Sequence, residues 1–183
     1  RFLPMTVADK VSGLHAAYAV LAAVVHRLRT GGWLCRFLPL GLFLLLPRLL
    51  GYLTVQVSEM FRDPSYFRAL RETVLPHLRT YPSLKVWVAG CSHGEEVWSL
   101  AILLAEAGLL GRTRLYATDM HVPALNAAKR GIYRLDKLEG YARNYREAGG
   151  QAELEDHFTA QYDHALIRAD LRSSVIWGEH NLV

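Results

Sequence analysis

One stretch constrains this chain more than any other: residues 85–119. It opens with KVWVAG (Lys85–Gly90), a short β-prone run ending on glycine, which we read as a buried parallel strand. Cys91-Ser92-His93-Gly94 forms a loop. From Glu95 onward EEVWSLAILLAEAG reads as a strong helix, with Val97, Leu100, Ala101, Leu104 and Ala105 on one face. Gly108 suits its C-terminal end. RLYATD (Arg114–Asp119) is the next strand, and Val122-Pro123 opens a further helix that closes at Gly131. A β-α-β-α order predicts a doubly wound α/β sheet.

The chemistry of such a unit sits at the carboxyl ends of its strands. A glycine-bearing turn, here Gly90 to Gly94, lets backbone approach a ligand closely. An acid at the tip of the second strand, here Asp119, accepts the ribose hydroxyls of a nucleoside. The loop is not the GxGxxG pattern that sets a pyrophosphate on a helix N-terminus. That N-terminus carries Glu95 and Glu96 instead. Two carboxylates there complement the helix dipole, but they repel a pyrophosphate. They suit a ligand that is neutral or cationic at that end. S-adenosylmethionine, with an ammonium, a sulfonium and no phosphate, fits. A nicotinamide-dependent oxidoreductase is disfavoured by the same sign argument.

Upstream, Asp63-Pro64 reads as an N-cap followed by proline at the first helical position. Phe67, Leu70, Val74 and Leu78 give that helix one apolar face, and Pro76 should bend or shorten its end. Tyr81-Pro82-Ser83 is a turn. Downstream, residues 132–180 predict a helix around Tyr141–Tyr145, a glycine break at Gly149-Gly150 and short strands.

Charge separates the two ends of the chain. Residues 1–50 hold six Lys/Arg and one Asp, whereas residues 51–183 hold 15 basic and 16 acidic residues. The body therefore lacks the basic balance of a nucleic-acid binder, and none is expected as a partner. The apolar run 14–25 is shorter than the roughly 20 residues a membrane span needs. The run 33–46 contains Arg36, Pro39 and Gly41; Arg36 near its centre is costly in lipid and Pro39 breaks a helix. We read residues 1–50 as a helical segment, ahead of a membrane-associated anchor or a segment that is not natively folded. The start on Arg reads as a fragment's. Cys35 and Cys91 have no metal-ligand spacing, and a reduced cytoplasmic setting is expected.

The motifs combine into something more specific. TVQVSEMFRD (Thr54–Asp63), VWVAGCSHGEEVWS (Val86–Ser99), YATD (Tyr116–Asp119), KRGIYRLDKL (Lys129–Leu138) and NL (Asn181-Leu182) occur in one order. Over roughly residues 51–183 the chain resembles the chemotaxis receptor methyltransferases, the CheR family. The resemblance implies a Rossmann-like class I S-adenosylmethionine-dependent methyltransferase fold, C-terminally truncated. A small inserted β-subdomain is expected around residues 132–172. It implies a cytoplasmic, monomeric protein-glutamate O-methyltransferase whose partners are the cytoplasmic domains of chemotaxis receptors. By position, Gly90 would pack beside the cofactor and Glu96 would meet the amino end of its methionine portion. Asp119 would hold the ribose, and Asn181 and Leu182 would flank the adenine. Gln56, Ser58 and Arg62 would line the methionine and methyl-donor end of the cofactor, with Arg62 also the catalytic residue that orients the incoming glutamate. Gln56 stands where the family commonly has asparagine, and His93 where it often has threonine. The family continues with a strand carrying C-R-N-x-x-I-Y-F, beyond Val183. The alternative reading is therefore a catalytically inactive, truncated module that binds cofactor or receptor.

Plainer roles are expected for the neighbours. Trp87 and Trp98 read as core aromatics, Cys91 as a packing residue, His93 as a loop filler and Glu95 as a helix-dipole residue. Asp156, His157, Asp163 and His164 look superficially like metal ligands, but no helix-face spacing supports a site, and no metal is expected. The TVQVSEMFRD segment argues against a methyltransferase for small molecules or nucleic acid.

Overall fold

The computed structural model describes residues 58–180. The expectations for residues 1–50, and for Gln56, Asn181 and Leu182, lie outside the described residues. The first helical stretch runs from α1 (Pro64–Ala69) through a π-turn (Leu70–Val74) into α2 (Leu75–Leu78). Pro64 sits in the first turn, where its missing N–H costs nothing. Asp63 does not cap it: its backbone is left-handed at φ 59° and its side chain makes no capping bond. Pro76 in a regular helix would press its ring on the carbonyl of Glu72. The π-turn falls just before it and widens the ladder there. The widened turn also shifts the helical phase. Leu75 is buried, while Val74, assigned to the apolar face by its spacing, is 38% exposed.

The predicted α/β unit follows: β1 (Leu84–Ala89), α3 (Glu95–Glu106), a 3-10 turn (Leu110–Arg112), β2 (Thr113–Asp119) and α4 (Val122–Arg130). β1 pairs in parallel with β2, and β2 in parallel with β6 (Val175–Glu179), giving the order β1-β2-β6. The core joins Val97, Trp98, Ala101 and Ile102 of α3 to Leu125 of α4 and to Leu115, Ala117 and Val175 of the sheet. Trp98 is fully buried, as expected.

Trp87 is not a core residue; it is 55% exposed. Strand alternation explains this. Leu84 and Val88 face the helices, while Lys85, Trp87 and Ala89 project to the other side of the sheet. There Trp87, Tyr116 and Ile176 lie in register across three strands, and the Trp87 indole N–H donates to Thr118 Oγ1 at 2.9 Å. β1 is thus a half-buried strand rather than a fully buried one.

Between α4 and β6 the chain builds a second, antiparallel sheet. β3 (Ile132–Arg134) leads into α5 (Leu135–Glu147), a 3-10 turn (Leu154–His157) and the hairpin β4 (Phe158–Gln161) and β5 (His164–Ile167), in the order β3-β5-β4. The short α6 (Ala169–Arg172) returns the chain to β6. α5 buries Leu138, Tyr141, Ala142 and Tyr145, the spacing of one helical face. The Tyr145 ring fills the space that a side chain at Gly150 would need.

Candidate cofactor site

The loop after β1 is pinned to the end of β2. The N–H groups of Gly90 and Cys91 both donate to the Thr118 carbonyl, at 2.8 and 2.9 Å. Gly90 and Gly94 have φ 71° and 90°, values that glycine adopts without steric cost. Gly94 is also held by contact: a Cβ there would stand 2.8 Å from that of Ala128.

Asp119 ties this loop to the next. One carboxylate oxygen accepts from Ser92 N at 2.7 Å and the other from His121 N at 2.8 Å. Each oxygen has lone-pair capacity beyond one amide bond, so the carboxylate retains room to accept hydroxyl protons while fixing both loops. Cys91 is buried, as expected of a packing residue. His93 accepts a hydrogen bond at its carbonyl from the Tyr133 hydroxyl at 2.9 Å. Tyr133 is itself buried, and that burial pushes its phenol well above its ordinary value.

The segment before α1 meets the same helix start. Phe61 N–H donates to Ser99 Oγ at 2.8 Å, and Asn144 donates from Nδ2 to the Met60 carbonyl at 3.1 Å. Phe61 and Asp63 both have left-handed backbones, at φ 51° and 59°. Such conformations are unusual for bulky residues and cost on the order of 1–3 kcal/mol each. Phe61 is held there by edge-to-face contacts with Phe67 and Tyr145, each at 5.1 Å between ring centroids. Arg62 lies exposed between these two strained residues. Ser58 lies near the start of α3, where its side chain acts to lower the Glu95 carboxyl.

The two acids of α3 differ. Glu95, expected to serve the helix dipole, is 4% exposed. Burial raises its carboxyl above the ordinary range, against the opposing hydrogen bonds of its own backbone and of Ser58 and the charges of His93 and Lys137. Glu96 is half-buried, and its charge adds to burial in raising the Tyr66 phenol. The electrostatic bias of the helix start therefore rests chiefly on Glu96. Acceptor carboxylates at the strand tip and the helix start suit a nucleoside with a cationic tail and oppose a pyrophosphate.

Of the residues picked out from the sequence, the fold gathers Gly90 with Asp119, and Ser58 with the first turn of α3. It does not assemble the superficial metal set: among the described residues no group of three or more His, Cys, Asp or Glu could hold an ion. Reading the sequence alone missed Ser99 and Asn144. Ser99 had a faint signal, a polar residue within the apolar run Val97–Ala105 of α3. Asn144 had none, because its partner lies 84 positions away.

A parallel sheet with a glycine turn after one strand, an acid at the tip of the next and an acidic helix start defines a Rossmann-like domain of the methyltransferase class. A family model described as CheR methyltransferase, SAM binding domain, matches residues 56–183. Similar proteins include a Pseudomonas putida protein named as a methyltransferase, Cher3, 51% identical over 142 residues, covering 78% of this chain and 51% of that protein. The chemotaxis protein methyltransferase of Salmonella typhimurium is 38% identical over 89 residues, 48% of this chain and 30% of the relative. That of Listeria monocytogenes is 29% identical over 141 residues, 76% of this chain and 51% of the relative. The chain belongs to the CheR methyltransferase family, and S-adenosylmethionine is the cofactor of this domain. It spans about half the length of the Pseudomonas putida and Listeria relatives.

Proposed function

We propose that the protein transfers the methyl group of S-adenosylmethionine to glutamate side chains of chemotaxis receptors. The observation that carries this reading is the docking of the Ser58–Asp63 segment onto α3. It sets a strained, arginine-bearing turn beside the helix start that follows the glycine loop. The names of the relatives from Salmonella and Listeria support the same class of reaction.

A glutamate carboxylate is already ionised near neutral pH, so no general base is required. The cofactor supplies an activated methyl on a sulfonium. The residues of the chain bind, orient and exclude water. Asp119 holds the ribose, Glu96 meets the amino end, and Gly90 allows close approach beside the cofactor. Ser58 and Arg62 stand at the methyl-donor end, where the guanidinium of Arg62 orients the incoming carboxylate by charge-assisted hydrogen bonds.

The test has two parts. Calorimetry with S-adenosylhomocysteine should give saturable binding that Asp119→Ala weakens by at least ~tenfold, a loss of about 1.4 kcal/mol. In a methyl-transfer assay on receptor cytoplasmic domains, Arg62→Ala should lower turnover by ~100-fold, the scale of one lost charged contact to the reacting group, a larger loss than in S-adenosylhomocysteine binding. Turnover equal to that of the parent would remove Arg62 from the mechanism. Cofactor binding with no transfer to any receptor domain would instead assign a binding module.

A further inference from the structure

The end of the sheet farthest from the glycine loop carries a second feature. A depression of about 460 Å³ opens at the starts of β1 and β2, lined by Ser83, Lys85, Gly111, Arg112, Thr113 and Arg114. Arg79, at the end of α2, adjoins it: its carbonyl accepts from Arg112 Nη2 at 3.0 Å. Four cations thus collect at one edge of a body whose overall charge is close to neutral.

Among the described residues they collect without ion-pair partners. No acidic residue occurs between Glu72 and Glu95, or between Glu106 and Asp119, the two stretches that build this edge. Among the described residues the ion pairs involve Arg71, Arg134, His157 and Arg168, and none involves Arg79, Lys85, Arg112 or Arg114. Lys85 and Arg114 are direct cross-strand partners. Like charges placed opposite each other destabilise a sheet, so this pair opposes the fold that contains it. The Nε of Arg112 is buried and has no acceptor among the described residues. An unmet buried donor is costly, and here it lies beside an open polar hollow.

We propose that this hollow binds a phosphate group, as the free ion or as a monoester, at a site separate from the cofactor site at the other ends of the same strands. A phosphate offers acceptor oxygens to the two guanidinium groups in the fork geometry that arginine favours. Its double charge offsets the repulsion between Lys85 and Arg114. β1 and β2 run six and seven residues, so the two sites stand about 20 Å apart at ~3.3 Å per residue. Occupancy here therefore leaves the cofactor end open.

The experiment titrates the full chain with inorganic phosphate and, separately, with adenosine 5′-monophosphate, at constant ionic strength against chloride. Thermal unfolding and calorimetry are the readouts. Saturable stabilisation by phosphate is expected, with Lys85→Gln/Arg114→Gln weakening binding ~tenfold or more. With the cofactor site saturated by S-adenosylhomocysteine, tighter binding of the nucleotide than of phosphate would identify an organic monoester as the source of the phosphate group, and equal binding the free ion. Without ligand, the double variant should unfold at a temperature equal to or above that of the parent, because it removes a like-charge pair. That behaviour separates lost binding from lost folding. S-adenosylhomocysteine should not compete with phosphate. The proposal is overturned if chloride gives the same response, if the double variant binds phosphate as the parent does, or if a poly-glutamate peptide binds more tightly than either phosphate probe.

Discussion

At the scale of single residues, Asp119 has two roles that a test can separate. Its oxygens hold Ser92 N–H and His121 N–H, and the same carboxylate is assigned to the ribose. Asp119→Asn turns one acceptor into an NH2 group facing an amide N–H, so one bond is lost whichever way the amide turns. The loss should be about 1.5–3 kcal/mol, the range for a hydrogen bond to a charged group, measured by urea unfolding without cofactor. Gly94→Ala tests the close approach of α3 and α4. The new Cβ would meet that of Ala128 at 2.8 Å, on a backbone of φ 90°. Overpacking plus a left-handed alanine should cost about 2–4 kcal/mol, again read from urea unfolding. A change under ~0.5 kcal/mol would mean that the helices are not so closely placed.

At the scale of elements, the π-turn is the point at which simple periodicity fails. An uninterrupted 3.6-residue period puts Val74 inside with Phe67 and Leu70. The widened turn rotates it out and brings Leu75 into the core with Leu84, Leu103, Leu104 and Leu109. The two registers predict opposite outcomes. Leu75→Ala should cost about 2–5 kcal/mol, and Val74→Ala less than ~1 kcal/mol. A reversed order in thermal or urea unfolding would restore the regular helix. Trp87 is a second misreading with a different cause. Alternation along one strand does not say which sides of a sheet are covered. Only the pairing of β1 with β2, and the placement of α3 and α4 on one side, leave the Trp87–Tyr116–Ile176 row on the other.

At the scale of the molecule, two carboxyls give stability opposite dependences on pH. Burial alone would raise Glu106. Hydrogen bonds from His157, Tyr145 and Arg71, together with the Arg71 charge, outweigh it and hold Glu106 below its ordinary value of 4.5. Its ion pair with Arg71 measures 2.7 Å, and it also pushes the Tyr145 phenol, already raised by burial, to about 12. A depressed acid stabilises the fold above its unfolded pKa and loses that contribution as pH falls through the folded value. Glu106→Gln should therefore destabilise at neutral pH, and its difference from the parent should shrink below pH 4.5. Glu95, raised by burial, has the reverse sign. Its favourable contribution is complete below its ordinary value and disappears as pH rises through the folded one. Glu95→Gln should stabilise at neutral pH and approach the parent at low pH. Urea midpoints measured from pH 3 to pH 8 check both signs at once. The β-α-β-α order of residues 85–131, the glycine loop and the acid at the tip of β2 were legible in the chain, because each depends on neighbours a few residues apart. Reduced to its sequence, this protein declares a parallel sheet, the strand end that carries Gly90 and Asp119, and its family. The burial of Glu95, the strained turn around Arg62, the exposure of Trp87 and the gathering of cations at the far edge were decided by tertiary structure. Each depends on which distant segment lies against it, and solvation and Coulomb interactions take their values only once that neighbour is in place.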